Sequence, residues 1–592
     1  MKAIILAAGY GRRMRPLTQT THKTLLTVNG KTLIEWMIEA LLSHHITDIA
    51  VVTGYLANDL KTFLDKTYPH IAFQYIHNER YNKTNNIFSM ALALEKITVD
   101  SDLVLIECDL IFEPAVLKRL LDSPYPNAAL VDRYQAGMDG TVVDVGDNQV
   151  ITSVIPPHLQ DENFDFSDKY KTLNIYRFSK SFCQGDFKKI ISYYARTIDS
   201  NAYYELMLGI LIYLQRNVIH AVTLQGETWT EIDDPNDLNI AKFLFEPQQR
   251  YSALASAHGG FWNYDVLDFC YLRNMYFPTG AVLSELRNNL LPALQNYGSN
   301  QSILNLKLAY FLRCSPAHVT TLNGAAQIFP FLQRQFSGQT VLIPRPTFGE
   351  YRRMFPQAKT YEDQRELDWD SLNNQVSPGM LVVFVNPNNP TGTTLKTPEI
   401  YQFAQQHPQA TICVDESFID FSEQSSIRCL LETKPLNNVF VLKSLSKTLG
   451  LPGIRLGYMY STQASFHEAL QADLPIWNLN AMAENFLELL LKHRPAIAQS
   501  FEQTKQDRDT LAIQLAQIPL IKKVYPSGGN FLLAACHCDP TALTQYVQTL
   551  LAEESLYLKE VSARFDDGQS YLRIAVRLPA EHQRLLSSLM QL

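Results

Sequence analysis

Along most of the chain, short apolar runs that end in glycine or proline alternate with stretches in which apolar residues recur every three or four positions. "KAIILAA" is a continuous run of strand length that closes on glycines; "TLIEWMIEALLSH" then shows helical spacing, and "DIAVVTGY" returns to a strand. Runs without polar alternation suit strands buried on both faces, so the pattern predicts α/β architecture with parallel sheets covered by helices. The series continues through "DLVLIECDLIF" and ends near "DDPNDLNIAKFLF" at 233–245. A polar stretch, "EPQQRYSALASAHGG", separates it from a second series, in which "TVLIPRP", "LVVFVNP", "TICVDES" and "VFVLKSLSK" are again buried-strand runs. The expected organisation is a first domain over 1–245, a linker over 246–258 and a second domain over 259–592.

Composition narrows the function classes. At 592 residues the chain exceeds what one core supports, and 46% hydrophobic with 19% charged residues excludes a disordered chain. A net charge of -8 lacks the concentrated positive charge that nucleic acid or an anionic membrane demands, so neither is an expected partner, and phosphate substrates require local cationic pockets. No apolar run approaches the roughly 20 residues that span a bilayer. The start "MKAIILAAG" runs into a Gly/Arg loop instead of a cleavage site, so no signal peptide is expected. The eight cysteines are scattered, and Cys536-His537-Cys538 is too tight for the usual zinc spacing. A reduced, cytoplasmic protein follows as the expectation.

The first series carries "LAAGYGRRMRPLT". Gly9 and Gly11 let the backbone approach a ligand and present N–H groups to phosphate oxygens, while Arg12, Arg13, Arg15 and Lys23 add cations. A Gly-x-Gly turn alone is as readily a plain strand-to-helix turn. The longer stretch "LAAGYGRRMRPLTQTTHKTLLTVNGKTLIE" resembles the signature of the sugar-nucleotide and phosphocholine nucleotidyltransferases. That resemblance implies a Rossmann-like (GT-A-like) sheet, with Leu6, Ala8, Gly9, Gly11, Arg12 and Lys23 around the nucleotide and Arg12 and Lys23 acting on the phosphates. His22 departs from the family, which usually has proline before the lysine.

"YNKTNNIFSMALAL" resembles the segment of the cytidylyltransferases that activate phosphocholine, phosphoethanolamine and aminoalkylphosphonates. CTP is thereby implied, with Asn85, Asn86 and Ser89 near base and ribose, although asparagines also cap helices. Asp109 stands at a strand's C-terminal end, where open α/β sheets bind ligands, and "TWTEIDDPNDL" supplies Glu231, Asp233 and Asp234. Carboxylates from two segments suit Mg²⁺ on a triphosphate; by resemblance, Asp109 and Asp233 are its ligands. The implied reaction is in-line attack of a substrate phosphate or phosphonate on the α-phosphorus of CTP, with pyrophosphate leaving. "YKTLNIYRFS" resembles the substrate-side strand of the same subgroup; its aromatics either box a quaternary amine or simply pack.

In the second series "FVLKSLSKTLGLPGIRLGY" places Lys447 after Ser444 and Ser446 and ahead of Arg455, "TICVDESFIDF" ends a strand on Asp415, and "NPNNPTG" holds Asn389. "LNGAAQIF" sets Gly324, Ala325 and Ala326 at a helix start that favours phosphate. In this order the motifs resemble the class I/II aminotransferases of fold type I, which implies pyridoxal 5'-phosphate. Lys447 then carries the cofactor, Asp415 keeps its pyridine nitrogen protonated, and Asn389 lies by the ring oxygen. Ser444, Ser446 and Arg455 are implied as cofactor-binding residues, and residues 324–326 hold its phosphate. Tyr351 in "PRPTFGEYRRMF" stacks on the ring, and Arg573 in "YLRIAVR" takes the substrate carboxylate.

Phe418 occupies the position at which many transaminases have a tyrosine. "HGGFWNYDVLDF", "WNLNAMAE" and "PSGGNFLL" resemble threonine-phosphate decarboxylase, and histidinol-phosphate aminotransferase is the neighbouring family. The expected activity is decarboxylation of a phospho-amino acid such as phosphoserine, followed by CMP transfer onto the amine to give a CDP-ethanolamine-like product for a surface glycan or lipid. The alternatives are a true transaminase (histidinol-phosphate-like, or forming aminoethylphosphonate or serinol phosphate), and a degenerate half serving only to bind or regulate. Fold analogy implies a homodimer through the second domain.

Overall fold

A computed structural model describes residues 1–591 apart from 136, 216, 217 and 365. The chain divides into two compact units, Met1–Tyr264 and Asp265–Leu592.

The first unit is built on a nine-stranded sheet. Its parallel heart runs Gln74–His77, Asp48–Thr53, Lys2–Ala7 and Leu103–Glu107, with Tyr170–Phe178 antiparallel beyond. Alternation along Lys2–Ala7 sends Ile4 and Leu6 to one core and Ala3, Ile5 and Ala7 to the other, as a strand covered on both faces requires. The helix Leu33–Ser43 starts in a capping box of Thr32 and Glu35. Trp229–Glu231 pairs antiparallel with Leu110–Phe112, and the Ile232 N–H donates to the Asp109 carbonyl at 2.7 Å. Two segments more than a hundred residues apart thus meet beside the end of the central strand Leu103–Glu107.

The expected linker is helical. Pro247–Gln249 forms a 3-10 turn and Arg250–Ala257 a helix with Leu254 buried, inside the first unit. The Arg250 guanidinium donates to the carbonyls of Phe243 and Leu244 at 2.8 and 2.9 Å, occupying acceptors at the end of the helix Pro235–Phe245. Tyr264 stacks on Phe243 with ring centroids 4.1 Å apart. A polar composition therefore hid a segment that caps and covers its neighbour.

The second unit has a seven-stranded sheet in the order Val319–Leu322, Gly457–Ser461, Val439–Ser444, Thr411–Asp415, Leu381–Val385, Val341–Arg345 and Lys359–Glu362. Gly457–Ser461 runs antiparallel to both neighbours, and the remaining adjacent pairs are parallel. Along Leu381–Val385, Val382 and Phe384 enter one core while Leu381, Val383 and Val385 enter the other. A separate antiparallel sheet of Ile521–Tyr525, Phe531–Cys536, Ser570–Ala575 and Lys559–Glu560 carries Arg573. Among the described residues no helix is long and apolar enough to cross a membrane.

Candidate active sites

In the first unit the chain leaves Lys2–Ala7 into a turn in which Gly11 is left-handed, φ 56°, and begins the 3-10 turn Arg12–Met14. A Cβ on Gly11 would stand 3.3 Å from both Lys23 Cβ and Thr18 Cγ2, so crowding as well as φ favours glycine. Lys23 is enclosed at the loop's base, its Nζ 3.2 Å from Asp233 Oδ1 and 3.5 Å from Asp109 Oδ2. Burial alone would push this lysine down, but Asp109 and Asp233 outweigh it and hold its pKa above the ordinary value.

Asp109, Glu231 and Asp233 bring ligand oxygens within 4.8 Å of one another, and Asp109 Oδ1 is buried without a hydrogen-bond partner. Glu231, which sequence reasoning quoted without a role, joins because Trp229–Glu231 lies alongside Leu110–Phe112. Burial pushes its carboxyl up to about 7, opposed by Lys171, whose Nζ is 3.1 Å away, and reinforced by Asp109 and Asp233. Three hard oxygen donors and an unsatisfied carboxylate oxygen fit a divalent cation. Asp234 is elsewhere, capping the helix Pro235–Phe245.

Several expected contacts differ. Arg13 is the arginine at the carboxylates, 2.6 Å from Asp233 Oδ2, whereas the exposed Arg12 lies over the Tyr10 ring at 5.1 Å. Leu6 and Ala8 are buried at the strand end, and Gly9 is exposed. Asn85 is the N-cap of the helix Asn86–Lys96. Asn86 donates from Nδ2 to Glu107 Oε1 at 3.0 Å and Glu205 Oε2 at 3.3 Å, and accepts from the Tyr204 N–H at 3.0 Å. Ser89 is buried and accepts from Asn78 Nδ2 at 3.1 Å. Asn86, half-buried, and Ser89, buried, thus both have partners within the protein.

His22 replaces the family proline with hydrogen bonds. Its Nδ1 accepts from the Thr24 N–H at 3.2 Å, so Nε2 carries the proton and donates to the Ala7 carbonyl at 3.2 Å. Burial lowers its pKa to about 4, which keeps this neutral tautomer and ties the Lys23 turn to the first strand.

In the second unit, Lys447 sits on the short helix Leu445–Thr448 with Nζ 4.7 Å from the Phe418 ring centroid and 5.2 Å from that of Phe348. Burial lowers its pKa to about 8 against the pull of Asp415, with Arg573 and Arg455 adding to the depression. Asp415 is fixed at the end of its strand. Ser417 donates to Oδ1 from its N–H at 3.1 Å and its hydroxyl at 2.6 Å, and Tyr351 donates to Oδ2 at 2.8 Å. Arg573 donates from Nη1 to Asn389 Oδ1 at 2.8 Å and from Nη2 to the Cys270 carbonyl, while its buried Nε has no partner.

One expected contact needs correcting here, and a second residue has partners within the protein. Tyr351 is fully buried, edge-on to Phe329 and bonded to Asp415, so it supports the acid instead of stacking on a cofactor; Phe348 is the ring beside Lys447. Ser446 is engaged with Leu456, donating to its carbonyl at 3.1 Å and accepting from its N–H at 2.9 Å. Ser444 is buried at the strand end. Gly324, φ 75°, packs against Arg455 so closely that a Cβ would run into the guanidinium, and Ala325 and Ala326 open the turn that follows. A further cation, Arg564, donates to the Thr347 carbonyl at 3.4 Å, and burial beside Arg573 lowers its pKa to about 10. A depressed-pKa lysine, a fixed acid, a glycine cradle with an arginine, and a buried guanidinium N–H without a partner fit pyridoxal phosphate and an acidic substrate.

This arrangement defines a nucleotidyltransferase unit joined to a fold type I enzyme unit. Residues 3–203 match the MobA-like NTP transferase domain and residues 268–589 match aminotransferase class I and II. The chain belongs to the class I and II aminotransferase family, which implies pyridoxal phosphate as cofactor. It is 30% identical over 605 residues, 100% of this chain and 95% of the relative, to CMP-5'-(3-aminopropyl)phosphonate synthase of Streptomyces rubellomurinus. L-serine phosphate decarboxylase of Campylobacter jejuni is 28% identical over 349 residues, 55% of this chain and 87% of that protein. Histidinol-phosphate aminotransferase of Sinorhizobium meliloti, solved in complex with pyridoxal-5'-phosphate, shares the fold: its TM-score is 0.50 at 18% identity, over 58% of this chain and 93% of that one.

Proposed function

We propose a bifunctional enzyme whose second unit decarboxylates a phosphorylated or phosphonate amino acid such as phosphoserine, and whose first unit transfers CMP from CTP to the resulting amine. The observation that carries this reading is the presence in one chain of two chemically distinct donor sets, Lys447–Asp415–Asn389–Arg573 and Lys23–Asp109–Glu231–Asp233. The decarboxylase and CMP-phosphonate synthase relatives support the choice of reactions.

Pyridoxal phosphate, when bound, supplies an electron sink for the pair left on the substrate α-carbon as CO₂ departs. Lys447 carries it and, with its pKa drawn down to about 8, returns a proton at that carbon near neutral pH. Asp415 serves the ring nitrogen and Asn389 the ring oxygen; Phe418 adds no hydroxyl there. Ser444, Arg455 and the 324–326 turn hold the cofactor phosphate. Arg573 takes the substrate carboxylate and Arg564 the distal acidic group.

In the first unit, Asp109, Asp233 and Glu231 hold Mg²⁺, and Lys23, Arg12 and Arg13 line the triphosphate. The acceptor's phosphate or phosphonate oxygen attacks the α-phosphorus, and pyrophosphate leaves opposite it. Such a product suits decoration of a surface glycan or lipid. Eight unpaired cysteines support a cytoplasmic location. Exposed Tyr297 and Trp477, stacked at 4.3 Å near exposed Leu290, Leu291 and Leu294, support a homodimer through the second unit.

Phosphoserine alone should yield CO₂ and phosphoethanolamine, and CTP with Mg²⁺ should convert the amine to CDP-ethanolamine. Product only from an amino donor plus a ketone or aldehyde would replace the decarboxylase with a transaminase.

A further inference from the structure

The second unit holds a cavity of about 450 Å³ whose lining excludes Lys447, Asp415, Asn389 and Arg573. Lys443, on the strand Val439–Ser444, alternates onto the face of Val439 and Val441, which enter the hydrophobic core, and its side chain is buried. A lysine on that face is costly unless paired, and Asp420 accepts from its Nζ at 2.7 Å. That pair accounts for Lys443 and uses up the only acid among the described lining residues. Three more cations, Arg313, Arg428 and Arg494, line the same space. Arg428 has Glu432 at 3.9 Å, beyond hydrogen-bond reach. Arg494, at the start of the helix Arg494–Leu515, donates to the Tyr310 carbonyl at 2.9 Å and lies over the Phe311 ring at 5.2 Å. Burial and the neighbouring Arg313 both lower its pKa, so the two arginines crowd each other, and among the described residues neither makes an ion pair.

The cations converge. Lys443 and Arg428 both act on the hydroxyl of the buried Tyr458, in the sense that favours negative charge there, against Glu416 and Asp420. Glu416 is already engaged, accepting from the Ser426 hydroxyl and from the Ile427 N–H at 2.7 Å. Arginine forks match phosphate oxygens, and three of them beside a lysine offer more charge than one phosphate neutralises. Phe311, Leu312, Ile497 and Phe501 give the rest of the wall an apolar character, and the volume is one that holds a small organic ligand. Thr448 and Leu449 also line the cavity, so an occupant touches the short helix that carries Lys447.

We propose that Arg313, Arg428, Arg494 and Lys443 form a second anion site in this unit, one that binds a diphosphate, either free or carried by a nucleotide. The reaction proposed for the first unit consumes a nucleotide and releases pyrophosphate, but binding at this site does not depend on that reading.

The test titrates pyrophosphate and, separately, CTP into the pyridoxal-loaded full chain by calorimetry without Mg²⁺, comparing the unaltered protein with R428Q and R313Q. Two binding events are expected in the unaltered protein. One, at the first unit, should be the same in all three proteins; the other should weaken about tenfold or more in each variant, as a charge-assisted hydrogen bond to phosphate is lost. Unchanged pyridoxal absorbance shows that a variant is intact, and because Arg313 is exposed, R313Q decides the matter where R428Q fails to hold cofactor. An event seen with pyrophosphate alone assigns the site to the free diphosphate; one at least as tight with CTP assigns it to a nucleotide. If a single event is found and the variants weaken it, it belongs to this cavity and the first unit's reading is at fault. If no event differs between the unaltered protein and R313Q, the proposal is overturned.

Discussion

The two units each enclose a lysine among charged neighbours, and the neighbours drive them in opposite directions. Lys23 lies within 3.5 Å of two carboxylates, which outweigh the cost of burial and hold it as a cation. Lys447 lies among the rings of Phe348 and Phe418, with Arg455 and Arg573 in reach and Asp415 as its main counter-charge, and burial draws its pKa down to about 8. One environment suits permanent neutralisation of phosphate charge; the other suits an amine that gains and loses a proton near neutrality. Residue type says little about role until its neighbours are known.

The sharpest way to break the comparison is to remove one site at a time. K447A should abolish the pyridoxal absorbance and lower CO₂ release by about 10⁴-fold or more, while CTP-dependent pyrophosphate release continues. D109N should do the reverse, lowering pyrophosphate release by about 10³-fold with CO₂ release retained. If either variant silences both reactions, the separation of roles is wrong.

The opposite shifts predict a pH signature of intermediate size. A lysine with a lowered pKa is neutral, and therefore nucleophilic, from a lower pH than usual. Uptake of pyridoxal phosphate by apoprotein, followed by absorbance, should accelerate about tenfold per pH unit below pH 8 and level off above it. A rise that continues to pH 10 would contradict the depressed value.

The smallest effects separate the two aromatics near Asp415. F348A should weaken cofactor binding by about three- to tenfold through lost ring contact. Y351F removes one hydrogen bond to Asp415 and should cost about 1 kcal/mol of stability. Titration with pyridoxal phosphate and thermal melts would distinguish them; unchanged cofactor affinity in F348A would contradict Phe348 as the ring in contact with the cofactor.

Much of the fold was legible because apolar runs such as "LVVFVNP" carry their own strand signal and end where sheets bind ligands. The motifs around Lys447, Asp415 and Asn389 were legible for the same reason: each is local, and the sheet brings its strand end to one place. What escaped depends on packing between distant segments. Glu231 joins Asp109 only through the pairing of Trp229–Glu231 with Leu110–Phe112. Phe348 and Tyr351 are three residues apart, and which one faces Lys447 depends on where the helix Gly349–Met354 begins. The partners of Asn86 and Ser89 come from other segments, and the polar stretch at 246–258 concealed a capping arginine and one buried leucine.

The central claim is that a carboxylate-held cation serves one reaction and a pyridoxal-bearing lysine the other. It is tested most directly by following CO₂ and pyrophosphate together in one vessel containing the enzyme, phosphoserine, CTP and Mg²⁺, before and after adding a chelator. The account predicts that chelation stops pyrophosphate release and leaves CO₂ release running; loss of both together, or of neither, would contradict it.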